Sequence, residues 1–175
     1  MERLTTERYP RLLSHALVLV GDRAEAEDLV QEALIATFGK RRGFESLPQA
    51  EQYVRRAIVT KFVDRVRKSS REKELWDRAS SGADVTVADH GAGVGGAVDV
   101  GAALLTLPPR QRACVALRYL DDLSIGQTAE TLGLSHGAVK RYVSDGLAAL
   151  NALLGTTDRV GDLEQVPVAA EGGAA

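Results

Sequence analysis

The chain has 175 residues, of which 45% are hydrophobic and 26% are charged, and its formal net charge is −2. This composition is ordinary for a soluble globular protein, and the length allows one ordinary domain or two small helical ones. No apolar run approaches the roughly 20 residues that cross a bilayer, and the N-terminus lacks a signal-peptide core. The single cysteine, Cys114, excludes an internal disulfide. We therefore expect a cytoplasmic protein with no membrane contact.

Charge is distributed unevenly along the chain. Segment 40–78 carries twelve basic and six acidic residues, whereas every other part has a net charge that is negative or close to zero. Lys and Arg gain binding free energy when they displace counterions from phosphates, so this segment suggests a local contact with a polyanion. A solvated charged face is the alternative interpretation. The acidic remainder argues against general coating of nucleic acid.

In chain order, the first half of the sequence predicts three helices. Apolar residues favour a partly buried helix over Tyr9–Val20, which Gly21 would end. Asp22 can cap a second helix, Arg23–Phe38, whose acidic first turn suits the positive end of the helix dipole. After a loop, residues 49–74 predict a long helix with one apolar and one mostly basic face. The basic face indicates a surface that contacts phosphates, with an ordinary solvated helix as the alternative.

Two stretches rich in glycine and other small residues divide the chain. The first predicts a flexible linker and the second a disordered tail, because neither has a helical or strand pattern of useful length. The predicted fold class is all-α, with two small helical domains joined by the linker. The boundaries are an N-terminal domain at 1–78, a linker at 79–103, a C-terminal domain at 104–154 and a tail at 155–175.

The strongest local pattern lies in the C-terminal domain. Ser124 and Gln127 form a predicted capping box at the start of one helix. Gly133 can adopt the left-handed conformation that ends this helix, and Ser135 can cap the next one. Val139 would fill the crevice between the two helices. This spacing is typical of a helix-turn-helix, whose second helix lies in the major groove of DNA.

Early residues of that second helix would face the edges of the bases. These candidates are Ser135, His136, Ala138, Lys140, Arg141 and Ser144. Asp145 is expected at the rim of the DNA footprint, because its charge opposes close approach to phosphates. His136 has no Cys or His companion at ligand spacing, so we expect no metal site. Residues 105–123 predict a further helix, begun by Pro108 and Pro109, that covers the unit.

With these segments in place, the chain resembles the extracytoplasmic-function (ECF) group of bacterial sigma factors in the sigma-70 family. Region 2 of that family has a core-binding helix similar to GDRAEAEDLVQEALIATF, and the form GDRAEAEDLVQE is especially similar to actinobacterial members. Region 4 of the family is similar to LPPRQRACVALRYLDDLSIGQTAETLGLSHGAVK. The resemblance implies an alternative sigma factor that directs core RNA polymerase to promoter DNA. Such a protein is not an enzyme and needs no cofactor.

The resemblance also implies roles for two groups of residues in region 2. Polymerase would be contacted through its β subunit and the clamp helices of its β′ subunit, the latter by Asp28, Leu29, Gln31 and Glu32. Unpaired bases of the melted −10 element would be captured, and their backbone held, by Phe44, Tyr53, Arg56, Thr60, Lys61 and Arg67. The helix from Ser135 would read the −35 element as duplex.

This sequence departs from the family pattern at three positions. Thr60 stands where the family usually has Asn, so bidentate amide contacts to the −10 element are lost. Ala138 replaces the more frequent Thr, and Asp145 stands where a basic residue is common. An unusual −35 preference is therefore expected.

The remaining inferences from the sequence concern regulation by partners and the rival functions. The last residues, ending in Ala174 and Ala175, resemble degradation tags recognised by the Clp unfoldase–protease, with an indifferent small-residue tail as the alternative. The sequence names no anti-sigma factor. A stand-alone helix-turn-helix regulator, or an interaction module that sequesters polymerase without initiating transcription, are the rival functions.

Overall fold

The computed structural model describes residues 2–39, 43–79 and 100–155, and every regular element within these ranges is helical. This confirms the all-α fold class. No helix in the described ranges is both long and apolar enough to span a membrane. In chain order the helices are α1 (Glu2–Glu7), α2 (Tyr9–Val20), α3 (Arg23–Phe38), α4 (Leu47–Ala79), α5 (Val100–Leu105), α6 (Pro109–Val115), α7 (Ile125–Leu132) and α8 (His136–Leu154), with a π-helical turn at Ala116–Leu120 directly after α6.

Helices α2 and α3 have the bounds that the sequence predicts, because local hydrogen bonds fix their ends. Gly21 has φ +79°, and its N–H donates to the carbonyl of Leu17 at 2.8 Å, which closes the last turn of α2. The Asp22 carboxylate then accepts the N–H of Glu25 at 2.9 Å, which satisfies a free donor in the first turn of α3. The chain therefore reverses direction between two capped helices.

Helix α4 is longer than the predicted 49–74 at both ends. The Ser46 hydroxyl accepts the N–H of Gln49 at 3.3 Å, and the Gln49 side chain accepts the N–H of Glu45 at 2.9 Å. This cap starts the helix at Leu47, since Pro48 in the first turn lacks only an N–H that needs no helical partner. Its predicted apolar face is confirmed as core by five side chains, Val54, Ile58, Val59, Phe62 and Val63.

One boundary is wrong, because residues 100–103, assigned to the linker, belong to α5. The helix predicted within 105–123 begins at Pro109, as Pro108 and Pro109 predict, and it ends in the π-helical turn at Leu120. Extended backbone at Pro108 separates α5 from α6, as the ring of Pro109 requires of the residue before it. The rest of the predicted linker, the predicted tail and its Ala174 and Ala175 lie outside the described residues.

The core is continuous across the two halves of the chain. Helix α4 packs against α2 and α3 on one side and against α6, the π-helical turn and α7 on the other. One buried apolar cluster includes Leu12 and Leu29 from the first half together with Leu117 and Val139 from the second. The two predicted domains are therefore in direct contact.

Candidate nucleic-acid interface

The predicted helix-turn-helix is formed by α7, a tight turn and α8. Ser124 and Gln127 make the reciprocal capping box, with bonds of 3.1 and 2.9 Å. Gly133 has φ +63°, and Ser135 caps α8 by accepting the N–H of Ala138 at 3.2 Å. Val139 is fully buried between the two helices. Each of these sequence predictions is confirmed, and the start of α8 is held in a fixed direction.

The candidate −35 residues lie on the outer face of α8. Their side chains are exposed except for Ala138, which is half-buried. The guanidinium of Arg141 lies 5.4 Å from the centroid of the Tyr142 ring, and this contact orients the cation. The Ser135 hydroxyl is occupied by its cap, so Lys140 and Arg141 are the principal donors that this face offers to guanine or phosphate.

Gly146 is a structural requirement of α8 that sequence reasoning missed. A Cβ at this position would lie 2.9 Å from Cγ2 of Val115, closer than real Cβ contacts allow. The absence of a side chain lets α8 cross α6 at short range, and this crossing helps set the orientation of the exposed face. The signal available in the sequence was a glycine inside an otherwise regular helix, which usually marks a close approach.

A cavity of about 340 Å³ lies between the C-terminal end of α3 and the first half of α4. It gathers four of the six candidate −10 residues, Tyr53, Arg56, Thr60 and Lys61, with Ala36, Thr37 and Ala57 completing the wall. The last three were not predicted, because small residues at a helix crossing are usually expected to serve helix packing and not ligand binding. The cavity has an aromatic ring, two cations and a hydroxyl around one opening, a set that suits an unpaired base and its phosphate.

Aromatic rings support one side of this cavity. Phe44 packs edge-to-face on Phe38 with centroids 5.4 Å apart, and its centroid lies 5.3 Å from that of Tyr53. Phe44 therefore backs the Tyr53 ring rather than lining the cavity. Arg67 lies outside the cavity altogether, where it lines a separate cleft and faces Asp64 at 4.0 Å.

Three of the four candidate polymerase contacts form an exposed face of α3. Asp28, Gln31 and Glu32 are exposed, and Glu32 accepts a hydrogen bond from Arg65 of α4 at 2.9 Å. The prediction that Leu29 contacts polymerase is wrong, because its side chain is fully buried in the core and cannot reach a partner. Ile35, which the prediction left out, lies on this face and is 71% exposed.

Comparisons with known proteins agree with this geometry. Residues 4–72 match the model of sigma-70 region 2, and residues 97–150 match that of sigma-70 region 4. The RNA polymerase sigma-E factor of Streptomyces avermitilis is 32% identical over 161 residues, which cover 90% of this chain and 86% of that protein. The ECF RNA polymerase sigma factor SigF of Caulobacter vibrioides is 32% identical over 132 residues, covering 74% and 71%.

A solved structure is similar over almost the whole chain. It is the sigma factor RpoE of Bartonella quintana, in complex with the anti-sigma factor NepR, with a TM-score of 0.61 and 27% identity over 90% of this chain and 98% of that one. The helix-turn-helix and the α3–α4 unit thus coincide with two regions of one family, in the same order. The chain belongs to the ECF group of the sigma-70 family, and it is an alternative sigma factor that directs RNA polymerase to promoters rather than an enzyme.

Proposed function

We propose that three separate surfaces divide the work of promoter recognition. The exposed face of α3, formed by Asp28, Gln31, Glu32 and Ile35, docks on the β′ clamp helices of core polymerase. The cavity between α3 and α4 accepts an unpaired base of the −10 element. The outer face of α8 reads the −35 element in the major groove. The observation that carries this proposal is the convergence of four candidate residues around one cavity.

The cavity acts by binding and carries out no bond chemistry. Tyr53 offers a partly exposed ring on which a base can stack, while Arg56 and Lys61 hold the backbone of the displaced strand. The Thr60 hydroxyl donates to the carbonyl of Arg56 at 2.9 Å, so toward a base it serves as an acceptor. A single acceptor discriminates less among bases than the bidentate amide of an Asn.

A run-off transcription assay with core polymerase tests this function. The wild-type chain should yield a transcript and should bind promoter DNA poorly without polymerase, whereas a stand-alone regulator would bind alone and a sequestering module would yield no transcript. Tyr53→Ala should reduce open-complex formation by about fivefold to about 150-fold, because stacking on an aromatic ring contributes about 1–3 kcal/mol per base. Permanganate reactivity of the melted thymines measures this directly.

The matched control is Tyr119→Ala. Tyr119 is exposed to nearly the same extent as Tyr53, 42% against 40%, but lies in the π-helical turn. This variant should melt the promoter normally, and Tyr53→Phe should retain most of the activity because the ring remains. Equal loss in the two alanine variants would contradict the assignment of the cavity.

Two finer hypotheses stay predictions. Recognition by a Clp protease would involve Ala174 and Ala175, which lie outside the described residues. An anti-sigma partner is suggested by the RpoE–NepR complex of the Bartonella relative.

A further inference from the structure

A buried polar cluster joins the two halves of the molecule. Nε of Arg55 in α4 lies 2.7 Å from Oδ1 of Asp121, the residue that follows the π-helical turn, and Arg55 also donates to the Leu120 carbonyl at 2.8 Å. Oδ2 of Asp121 faces Nε2 of His15 in α2 at 3.4 Å. The His15 and Asp121 side chains are only 2% and 6% exposed. Region 4 is therefore anchored to two helices of region 2 through one carboxylate.

The geometry of this cluster suits a neutral His15 beside an ion pair of Arg55 and Asp121. Burial, and then the charge of Arg55, lowers the pKa of His15 to about 3. Burial raises the pKa of Asp121 to about 6, against the attraction of Arg55, so the carboxylate is ionised at neutral pH. A ring protonated at Nε2 points its N–H toward Asp121, and its Nδ1 lone pair faces a terminal nitrogen of Arg55 at 3.4 Å.

Two further contacts close the same junction. Arg112 in α6 donates to the Leu19 carbonyl in α2 and, at 2.7 Å, to the Leu105 carbonyl, and its guanidinium lies 5.8 Å from the centroid of the Phe62 ring in α4. A Cβ added at Gly21 would lie 3.0 Å from Cδ1 of Leu105, so the end of α2 touches α5 directly. The contact between the halves thus extends along α2 and α4.

This closure limits the distance between the two proposed DNA surfaces. Arg55 is adjacent to Arg56 of the −10 cavity, and Asp121 is five residues from Gly126. A Cβ at Gly126 would lie 3.7 Å from the His136 ring at the start of α8. With at most about 3.6 Å per residue, the cavity and α8 lie within about 45 Å of each other. Elements at −35 and −10 are about 25 base pairs apart, about 85 Å of straight duplex.

We propose that this closed arrangement is an inactive form of the free sigma factor, in which the cluster of His15, Arg55 and Asp121 holds regions 2 and 4 together until polymerase separates them. The inference rests on the proposed assignment of the two DNA surfaces, since neither can reach its element while the other is engaged. The cluster suits a reversible lock because desolvation offsets much of the attraction in a buried ion pair. In addition, His15 Nε2 and Asp121 Oδ2 face each other without a well-formed hydrogen bond.

A disulfide that locks the closed form tests the proposal. Gly21→Cys with Leu105→Cys places two thiols at the contact between α2 and α5. Oxidation, with the cross-link verified by mass spectrometry, should lower run-off transcription at least tenfold, and a reductant should restore it. The double variant kept reduced is the control for the strain of a side chain at Gly21, whose φ is +79°, and wild type treated in the same way, whose single thiol at Cys114 is buried, is the control for oxidation. Full activity of the cross-linked chain would overturn the lock, whereas an inactive wild type would instead overturn the proposed function.

Opening the junction is the complementary test. Asp121→Asn keeps the shape of the side chain but leaves Arg55 without its anion, which disfavours the closed form. Its apparent Kd for core polymerase should fall severalfold, because the competent population rises. The exposed neighbour offers the matched control, Asp122→Asn, which should bind as wild type does. Equal affinities of the two variants would overturn the lock; if Asp121→Asn loses its helical circular dichroism, the cross-linked chain decides.

Discussion

Ile35 has the largest exposed fraction of any large apolar side chain among the described residues. It lies one helical turn beyond Gln31 and Glu32 on the same face of α3. An apolar side chain among polar ones is the usual anchor of a protein interface. Ile35→Glu should therefore weaken binding to core polymerase about tenfold, about 1.4 kcal/mol, in a fluorescence-anisotropy titration.

The matched control for this residue is Val100→Glu, since Val100 is 57% exposed but lies on α5. Neither exposed substitution should change the free energy of unfolding by more than about 0.5 kcal/mol. Binding that weakens equally in the two variants would mean that α3 holds no specific anchor.

Residues of α3 also show where sequence reasoning reached its limit. The exposed acids and amide of the proposed docking face were predicted, but Leu29 was placed on that face and Ile35 was not. Which apolar residue of a helix is covered depends on the neighbours that pack against it. Here α2 and α4 cover Leu29 and leave Ile35 in solvent. The pattern of α3 alone, in which both faces carry apolar residues, does not distinguish the two.

At the scale of elements, α8 carries a prediction of its own. Lys140→Ala with Arg141→Ala should weaken promoter recruitment at least about tenfold while leaving polymerase binding intact, because both side chains are exposed donors on the face of α8 that we propose contacts DNA. If both contact phosphates, the slope of log K against log salt should become less steep by about 1.8. Filter binding of the holoenzyme at several salt concentrations measures both quantities.

The control for α8 removes two other exposed cations, Arg11 and Arg23, which lie on α2 and α3. That variant changes the net charge equally but should leave the salt slope as it is. A slope altered by the same amount in both variants would indicate a general charge effect instead of contacts made by α8.

Element ends were predictable wherever the signal is local. Asp22, Ser124 and Ser135 cap their helices as expected, because the acceptor and its N–H are only three residues apart. The π-helical turn was not predictable. It ends with the N–H of Asp121 bonded to the Ala116 carbonyl at 3.2 Å, and Asp122 follows with φ +51°. The ion pair between Arg55 and Asp121, the residue that ends this turn, is a tertiary contact that no local sequence pattern contains.

At the scale of the whole molecule, the junction between the halves was beyond sequence reasoning. Its three polar residues lie far apart in the chain, and each has an ordinary local environment. His15 sits in an apolar helix, Arg55 on a basic one and Asp121 in a loop. Two separate helical units were expected, and the packing that joins them depends on complementarity between surfaces.

The same cluster predicts how stability depends on pH. The lowered pKa of His15 removes stability as the pH falls below about 6.5, because only the unfolded ring takes up a proton there. The raised pKa of Asp121 adds stability as the pH falls from about 6 to 3.8, so the two effects oppose each other. Asp121→Asn removes the compensation. Its free energy of unfolding should therefore drop by about 1 kcal/mol more than that of wild type between pH 7 and 5.

Urea denaturation across this pH range measures the difference. The charged neighbours Arg55, Arg56 and Asp122 are the same in both chains, so the comparison reports the titration of Asp121 together with its interactions with these three groups. Parallel pH profiles of the two proteins would contradict the assigned pKa shifts.

The burial of Cys114 bears on which stimuli can reach the protein directly. Burial raises the pKa of this thiol to about 11, so at neutral pH only about one molecule in ten thousand carries the reactive thiolate. The thiolate is the form that attacks peroxides and other electrophiles, and the chain contains no second sulfhydryl to resolve an oxidised one. Direct oxidation of Cys114 in the folded chain is therefore expected to be slow.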